Sequence, residues 1–305
     1  MNWRKVNLYI LCSFAFSWTI ALVMWLLHLD MSNSLGKVII AAFYMPGPAI
    51  ATFVIQKFIY KQGFSQYGWT FNKKAAKWIL FTPLLFLALT VLAFAIAALL
   101  GNTHLVPEFG QVDFSQQDLS LRLKEMAGSA IDVNRIHIPS IPPFFLFVVM
   151  LVIGIVAGST VNLPVMFGEE FGWRGLLLRE TRSLGFLRAN VFIGFIWGLW
   201  HWPVILMGLN YPHHPFLGIL MMIVFTISLS PMFAYVRIKT QSILGSCMLH
   251  GMINATAAMY AFFIADGNEF YSSIAGWAGI IAAVILALCI ALFDKKFVAE
   301  YTTAE

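Results

Sequence analysis

What most constrains this chain is a series of apolar stretches, each long enough to cross a bilayer, spread over its whole length. A spanning helix needs about 20 predominantly apolar residues, because the hydrocarbon core is roughly 30 Å thick. The stretches lie at about 7–28, 36–58, 77–100, 143–168, 189–208, 216–236, 242–265 and 273–293. They predict an all-α fold, a polytopic transmembrane bundle of about eight helices. Composition argues the same way. The chain is 60% hydrophobic and only 11% charged, whereas a soluble domain carries about 25% charge. It has too few polar groups to cover a surface facing water.

The formal net charge of +5 raises the question of nucleic acid as a partner. No basic helix or RNA-type aromatic motif supports it, so no nucleic acid is expected. In membrane proteins Lys and Arg gather in cytoplasmic loops, and here they alternate. Arg4 and Lys5 precede the first stretch, and Lys61, Lys73, Lys74 and Lys77 follow the second. Arg174, Arg179, Arg182 and Arg188, then Arg237 and Lys239, then Lys295 and Lys296 continue the series. The loops at 29–35, 209–215 and 266–272 are nearly free of Lys and Arg, Lys37 standing at a helix start. The expectation is an integral, multi-pass protein in contact with membrane lipid, in a bacterial plasma membrane, with both termini cytoplasmic. The run from Leu8 to about Leu27 is too long for a signal peptide and reads as a retained first helix.

The whole chain, 1–305, reads as a single membrane domain. The polar stretch 101–143 is expected outside, as a cap or lid that is partly helical around Ser115–Met126. Cys12, Cys247 and Cys289 are scattered in apolar stretches and form no Cys-x-x-Cys pair. They read as small buried hydrophobes rather than a disulfide frame or a zinc cluster.

Ionisable groups inside membrane helices are costly, and are functional candidates for that reason. One cluster is Gly168-Glu169-Glu170-Phe171-Gly172-Trp173-Arg174. Glu170 and Arg174 stand at i, i+4 and can pair on one helix face, which leaves Glu169 free to act as a base. A second is Trp197-Gly198-Leu199-Trp200-His201-Trp202-Pro203, where Pro203 should kink or open the helix near His201. The third is His250-Gly251-Met252-Ile253-Asn254, with the imidazole and amide one turn apart on one face. Each taken alone also has a structural reading, as a charged helix end or as polar glue between helices. Together they supply what is needed to hold a water, deprotonate it and stabilise an oxyanion. Two His and one Glu also match a catalytic zinc set, so spacing leaves a metal site (Glu169, His201, His250) open beside the metal-free one.

The ordered set Glu-Glu-x-x-x-Arg, aromatic-x-x-x-His and His-x-x-x-Asn resembles the CPBP family of intramembrane proteases. That family includes the type II CAAX prenyl endopeptidases and the abortive-infection and bacteriocin-immunity relatives. The resemblance covers about 165–255, and Trp197 stands at the aromatic position. It implies an eight-helix bundle with its site open to the cytoplasmic side. It also implies an intramembrane endopeptidase acting on a peptide or protein substrate, in which Glu169 and His201 activate water and His250 and Asn254 form the oxyanion hole. Glu170, Arg174 and Trp197 are then supporting residues. The metal-free, glutamate-type mechanism with no cofactor is favoured over the zinc version, since Asn254 is a poor zinc ligand. Two rivals remain. One is a non-enzymatic scaffold or immunity protein. The other is a proton-coupled transporter, which is disfavoured because the intramembrane polar groups lie only in the second half of the chain. His213 and His214 fall in a predicted outside turn, and His104 and His137 in the long loop.

Overall fold

The computed structural model describes residues 1–31, 34–68, 76–115, 122 and 141–302. In chain order the helices are α1 (Trp3–Leu26), α2 (Ser34–Ile59), α3 (Ala76–Asn102), α4 (Pro143–Ser159), α5 (Leu163–Leu184) and α6 (Phe186–Trp200). They continue with α7 (Trp202–Leu206), α8 (Pro215–Thr240), α9 (Ile243–Thr256), α10 (Met259–Phe263), α11 (Trp277–Phe293) and α12 (Lys295–Glu300). The predicted apolar stretches are helical over most of their length, and the fold is a helical bundle. The helix expected around Ser115–Met126 lies almost wholly outside the described residues.

Among the described residues four helices, α1, α2, α3 and α8, are long and apolar enough to cross a membrane unbroken, and five spans result if α4 and α5 count as one. The other apolar stretches form shorter or broken helices, among them Phe186–Trp200 and Trp277–Phe293. The reason is local. The chain bends by 62° between α4 and α5, where Thr160 leaves helical geometry at φ −134°, ψ −85°. Pro203 sits in the first turn of α7, so the fifth stretch is divided at His201.

The bundle has the inside-out character of a protein packed in lipid. On α1 the buried face carries Val6, Tyr9, Ser13, Ser17, Ala21 and Met24, while Leu11, Leu22, Trp25 and Leu26 are exposed. Lipid offers no hydrophobic gain for hiding leucine, so small and hydrogen-bonding residues take the contact face. The Ser17 hydroxyl donates to the Tyr44 carbonyl on α2 at 2.9 Å. The sixth stretch looks weak in the sequence because of Ser228, Ser230 and Pro231, yet α8 runs unbroken for 26 residues. Both serines return their hydroxyls to carbonyls of the same helix, at Phe225 and Thr226. These features make the chain an integral membrane protein.

Two glycine pairs bring the elements of the site into contact. Gly194 and Gly198 face α8 so closely that an added Cβ would stand 2.4 Å from the Ile227 Cα and 2.5 Å from the Ile223 Cα. The Thr226 hydroxyl uses that proximity to donate to the Gly194 carbonyl at 2.8 Å. Gly154 and Gly158 do the same for α4 against α9, where a Cβ at Gly158 would meet the Met252 nitrogen at 2.3 Å. Asn162, in the α4–α5 bend, donates to the Gly251 carbonyl at 3.0 Å and ties the bend to the residue after His250. Outside the core, β1 (Gln111–Val112) pairs antiparallel with β2 (Ile264–Ala265).

Candidate active site

Glu169 and Glu170 end the regular part of α5, and the next turns, Phe171–Leu177, are wound as a π-helix. Such wide turns are rare and recur at functional sites. Here the widened turn is entirely buried and carries Arg174 into the bundle. Counting Arg174 among the cytoplasmic loop charges was therefore wrong, since it is 1% exposed. Its guanidinium carbon lies 4.2 Å from the ring centroids of both Trp197 and Phe233. An aromatic sandwich of this kind favours the flat guanidinium over a lysine ammonium.

Glu170 is fully buried and its Oε1 accepts two hydrogen bonds, from Arg174 Nη1 at 3.0 Å and with His250 Nδ1 at 2.9 Å. The expected i, i+4 pair is present, and its carboxylate also reaches an imidazole on α9. Glu169 is engaged too, where the sequence reading left it free. Its Oε2 accepts the Trp197 indole N–H at 2.8 Å.

His201 stands at the junction of α6 and α7 rather than within a continuous helix. Its Nδ1 lies 2.8 Å from the Trp197 carbonyl. A carbonyl can only accept, so Nδ1 carries the proton and Nε2 is the bare nitrogen. The junction is held from outside. The Trp200 carbonyl accepts the Trp18 indole N–H at 3.1 Å and also the Tyr44 hydroxyl, from α1 and α2. The Trp200 and Trp173 rings meet edge to face at 5.8 Å.

Glu169, Trp197, His201, His250 and Asn254 all line one cavity of about 250 Å³, with Tyr44 and Phe233 also in its wall. That space has room for several waters. A larger groove of about 920 Å³ runs between α1 and α7, but no ionisable side chain lines it. Four of the residues expected to act thus face a shared space, though they come from α5, the α6–α7 junction and α9. Glu170 and Arg174 are not among the cavity's lining residues and lie behind it. Among the described residues no group of three or more His, Cys, Asp or Glu is placed to hold a metal ion. His213 and His214 sit apart, joined to Glu269 by the His213 amide at 3.3 Å and by His214 Nδ1 at 3.0 Å.

The sequence reading missed the glycine pairs and the two donors on Trp200. Gly154-x-x-x-Gly158 and Gly194-x-x-x-Gly198, in apolar surroundings, carried a legible packing signal. The donors Trp18 and Tyr44 carried none, being two aromatics among many.

Residues 141–256 match the model of a family described as Rce1-like, type II CAAX prenyl endopeptidase. The chain is also similar to the CAAX prenyl protease 2 of Methanococcus maripaludis, at 28% identity over 155 residues. That alignment covers 47% of this chain and 54% of the relative, so the chain spans about half the length of the curated protein it matches.

Proposed function

We propose that this chain, which belongs to the CPBP family of intramembrane proteases through residues 141–256, is an endopeptidase that cuts a peptide or protein substrate at the cytoplasmic side of the membrane. The observation that carries the reading is the shared cavity lined by Glu169, His201, His250 and Asn254. Buried acids and imidazoles around a space that can hold water, inside an apolar bundle, are costly to keep unless they do chemistry.

In the proposed reaction a water lies between the Glu169 carboxylate and His201 Nε2. One of them takes its proton as the oxygen attacks the substrate carbonyl carbon. The carbonyl oxygen becomes an oxyanion, which His250 and Asn254 stabilise by donating hydrogen bonds. For His250 that role needs a proton on Nε2 while Nδ1 donates to Glu170, so the ring carries both and Glu170 supplies the opposing charge. The tetrahedral intermediate then collapses, the C–N bond breaks, and the proton held by the base passes to the leaving amine. Arg174 holds Glu170 in place. The alternation of loop charge supports a topology with both termini in the cytoplasm.

The test is cleavage of membrane peptides by the reconstituted chain. Glu169→Ala, His201→Ala and His250→Ala should each abolish it, and Asn254→Ala should lower kcat by about 100- to 1,000-fold. Full activity in any of the first three would remove the mechanism. Loss of activity on chelation, restored by zinc alone, would replace it with the metal version.

A further inference from the structure

We propose that Trp197 is the positioning residue that sets both members of the water-activating pair, each through a different atom. The inference rests on the hydrolase reading and gives a role to one more residue of that site. The indole N–H donates to Glu169 Oε2 at 2.8 Å. One turn further along α6, the backbone carbonyl of the same residue meets His201 Nδ1 at 2.8 Å. The ring face holds the Arg174 guanidinium at 4.2 Å, and the ring lies 5.4 Å from the His250 imidazole at 76°. One side chain and its carbonyl therefore touch the acid, both imidazoles and the buried cation.

The two hydrogen bonds differ in kind. The carbonyl contact follows from helix spacing and survives any residue at position 197. It fixes the His201 tautomer and leaves Nε2 bare. The indole contact is chemical. Indole N–H is a donor only, so it cannot take a proton from the water or from Glu169. It occupies Oε2 and holds the carboxylate plane, which leaves Oε1 as the oxygen for the water. A phenyl ring at 197 keeps the face toward Arg174 and the ring contact with His250, but supplies no donor. The carboxylate is then free to rotate, and the water loses its fixed partner.

The deciding substitution changes one group. Trp197 is replaced by 3-benzothienylalanine, in which sulfur stands where the N–H was and ring shape is kept, and in parallel by Trp197→Phe. A hydrogen bond to a charged group contributes about 1.5–3 kcal/mol. Both variants should therefore lose roughly 10- to 100-fold in kcat with KM unchanged. A benzothienyl variant that cleaves at the wild-type rate overturns the proposal, since packing then suffices. A loss carried by KM alone overturns it as well. A second measurement needs no activity. The chain has ten tryptophans, so its indole N–H resonances are few, and that of Trp197 is the one lost in Trp197→Phe. It should move upfield in Glu169→Gln, and an unmoved resonance overturns the proposal. A wild-type chain that cleaves nothing would instead count against the hydrolase reading, and the resonance would still decide the contact.

Discussion

Arg174 shows how much of the site hangs on one side chain. It is buried between two rings, holds Glu170 by one nitrogen and lies 3.5 Å from the Ser230 hydroxyl by another. Removing one partner of a buried ion pair leaves the other charge unpaired, at about 3–5 kcal/mol. Arg174→Ala should therefore lower the unfolding midpoint in detergent sharply. Arg174→Lys should recover little of the loss, because an ammonium offers neither the flat face nor the fork. Circular dichroism melts of the three proteins check this. At this scale the residues that line the cavity were legible, because a carboxylate, an imidazole or an amide is conspicuous in an apolar stretch. Their partners were not. Glu169 meets Trp197 only once α5 and the following helix α6 have packed together, and Glu170 meets His250 only after the chain has folded back across several helices.

Among elements, the glycine pairs govern how close the site helices come. A side chain at Gly194 would drive into the α8 backbone, and overpacking of this kind costs about 1–3 kcal/mol or more. Gly194→Leu should push α6 away from α8, lower the thermal midpoint and displace His201, with cleavage falling further than stability. Gly185→Ala is the control for a glycine in open space, although its positive φ of 85° adds some strain. The apolar stretches told where helices would form, but not where they would stop being straight. Pro203 announced one interruption. The bend at 160–162 has Pro164 in the first turn that follows it, and hydropathy records neither that bend nor the π turns after Glu170.

The molecule as a whole is closed by contacts between distant parts of the chain. At the C-terminal end Asp294 pairs with Lys239 and accepts from the Tyr235 hydroxyl and the Phe297 amide. Burial alone would raise this carboxyl, but the hydrogen bonds and charge of Lys239 and the Phe297 amide hold it below its ordinary value. Its contribution to stability is therefore full above the usual aspartate range, about 3.9, and is lost as pH falls through the lower folded value. The protection of α12 amides, measured as the ratio of intrinsic to observed exchange rate at each pH, should hold down to that range and fall below it. In Asp294→Asn that protection should be lower at neutral pH and flat through the acid range. At the other end, the two aromatic donors from α1 and α2 meet at the Trp200 carbonyl. Trp18→Phe with Tyr44→Phe should leave that acceptor bare, at a cost of about 1–3 kcal/mol.

That single oxygen has a consequence for anyone dividing the gene. The stretch resembling known proteases begins at 141, yet the peptide group beside His201 is clasped by side chains from residues 18 and 44. A fragment starting at 141 should insert but stay inert. Supplying residues 1–140 as a separate polypeptide should revive it, and should fail to do so when that polypeptide lacks both aromatic donors.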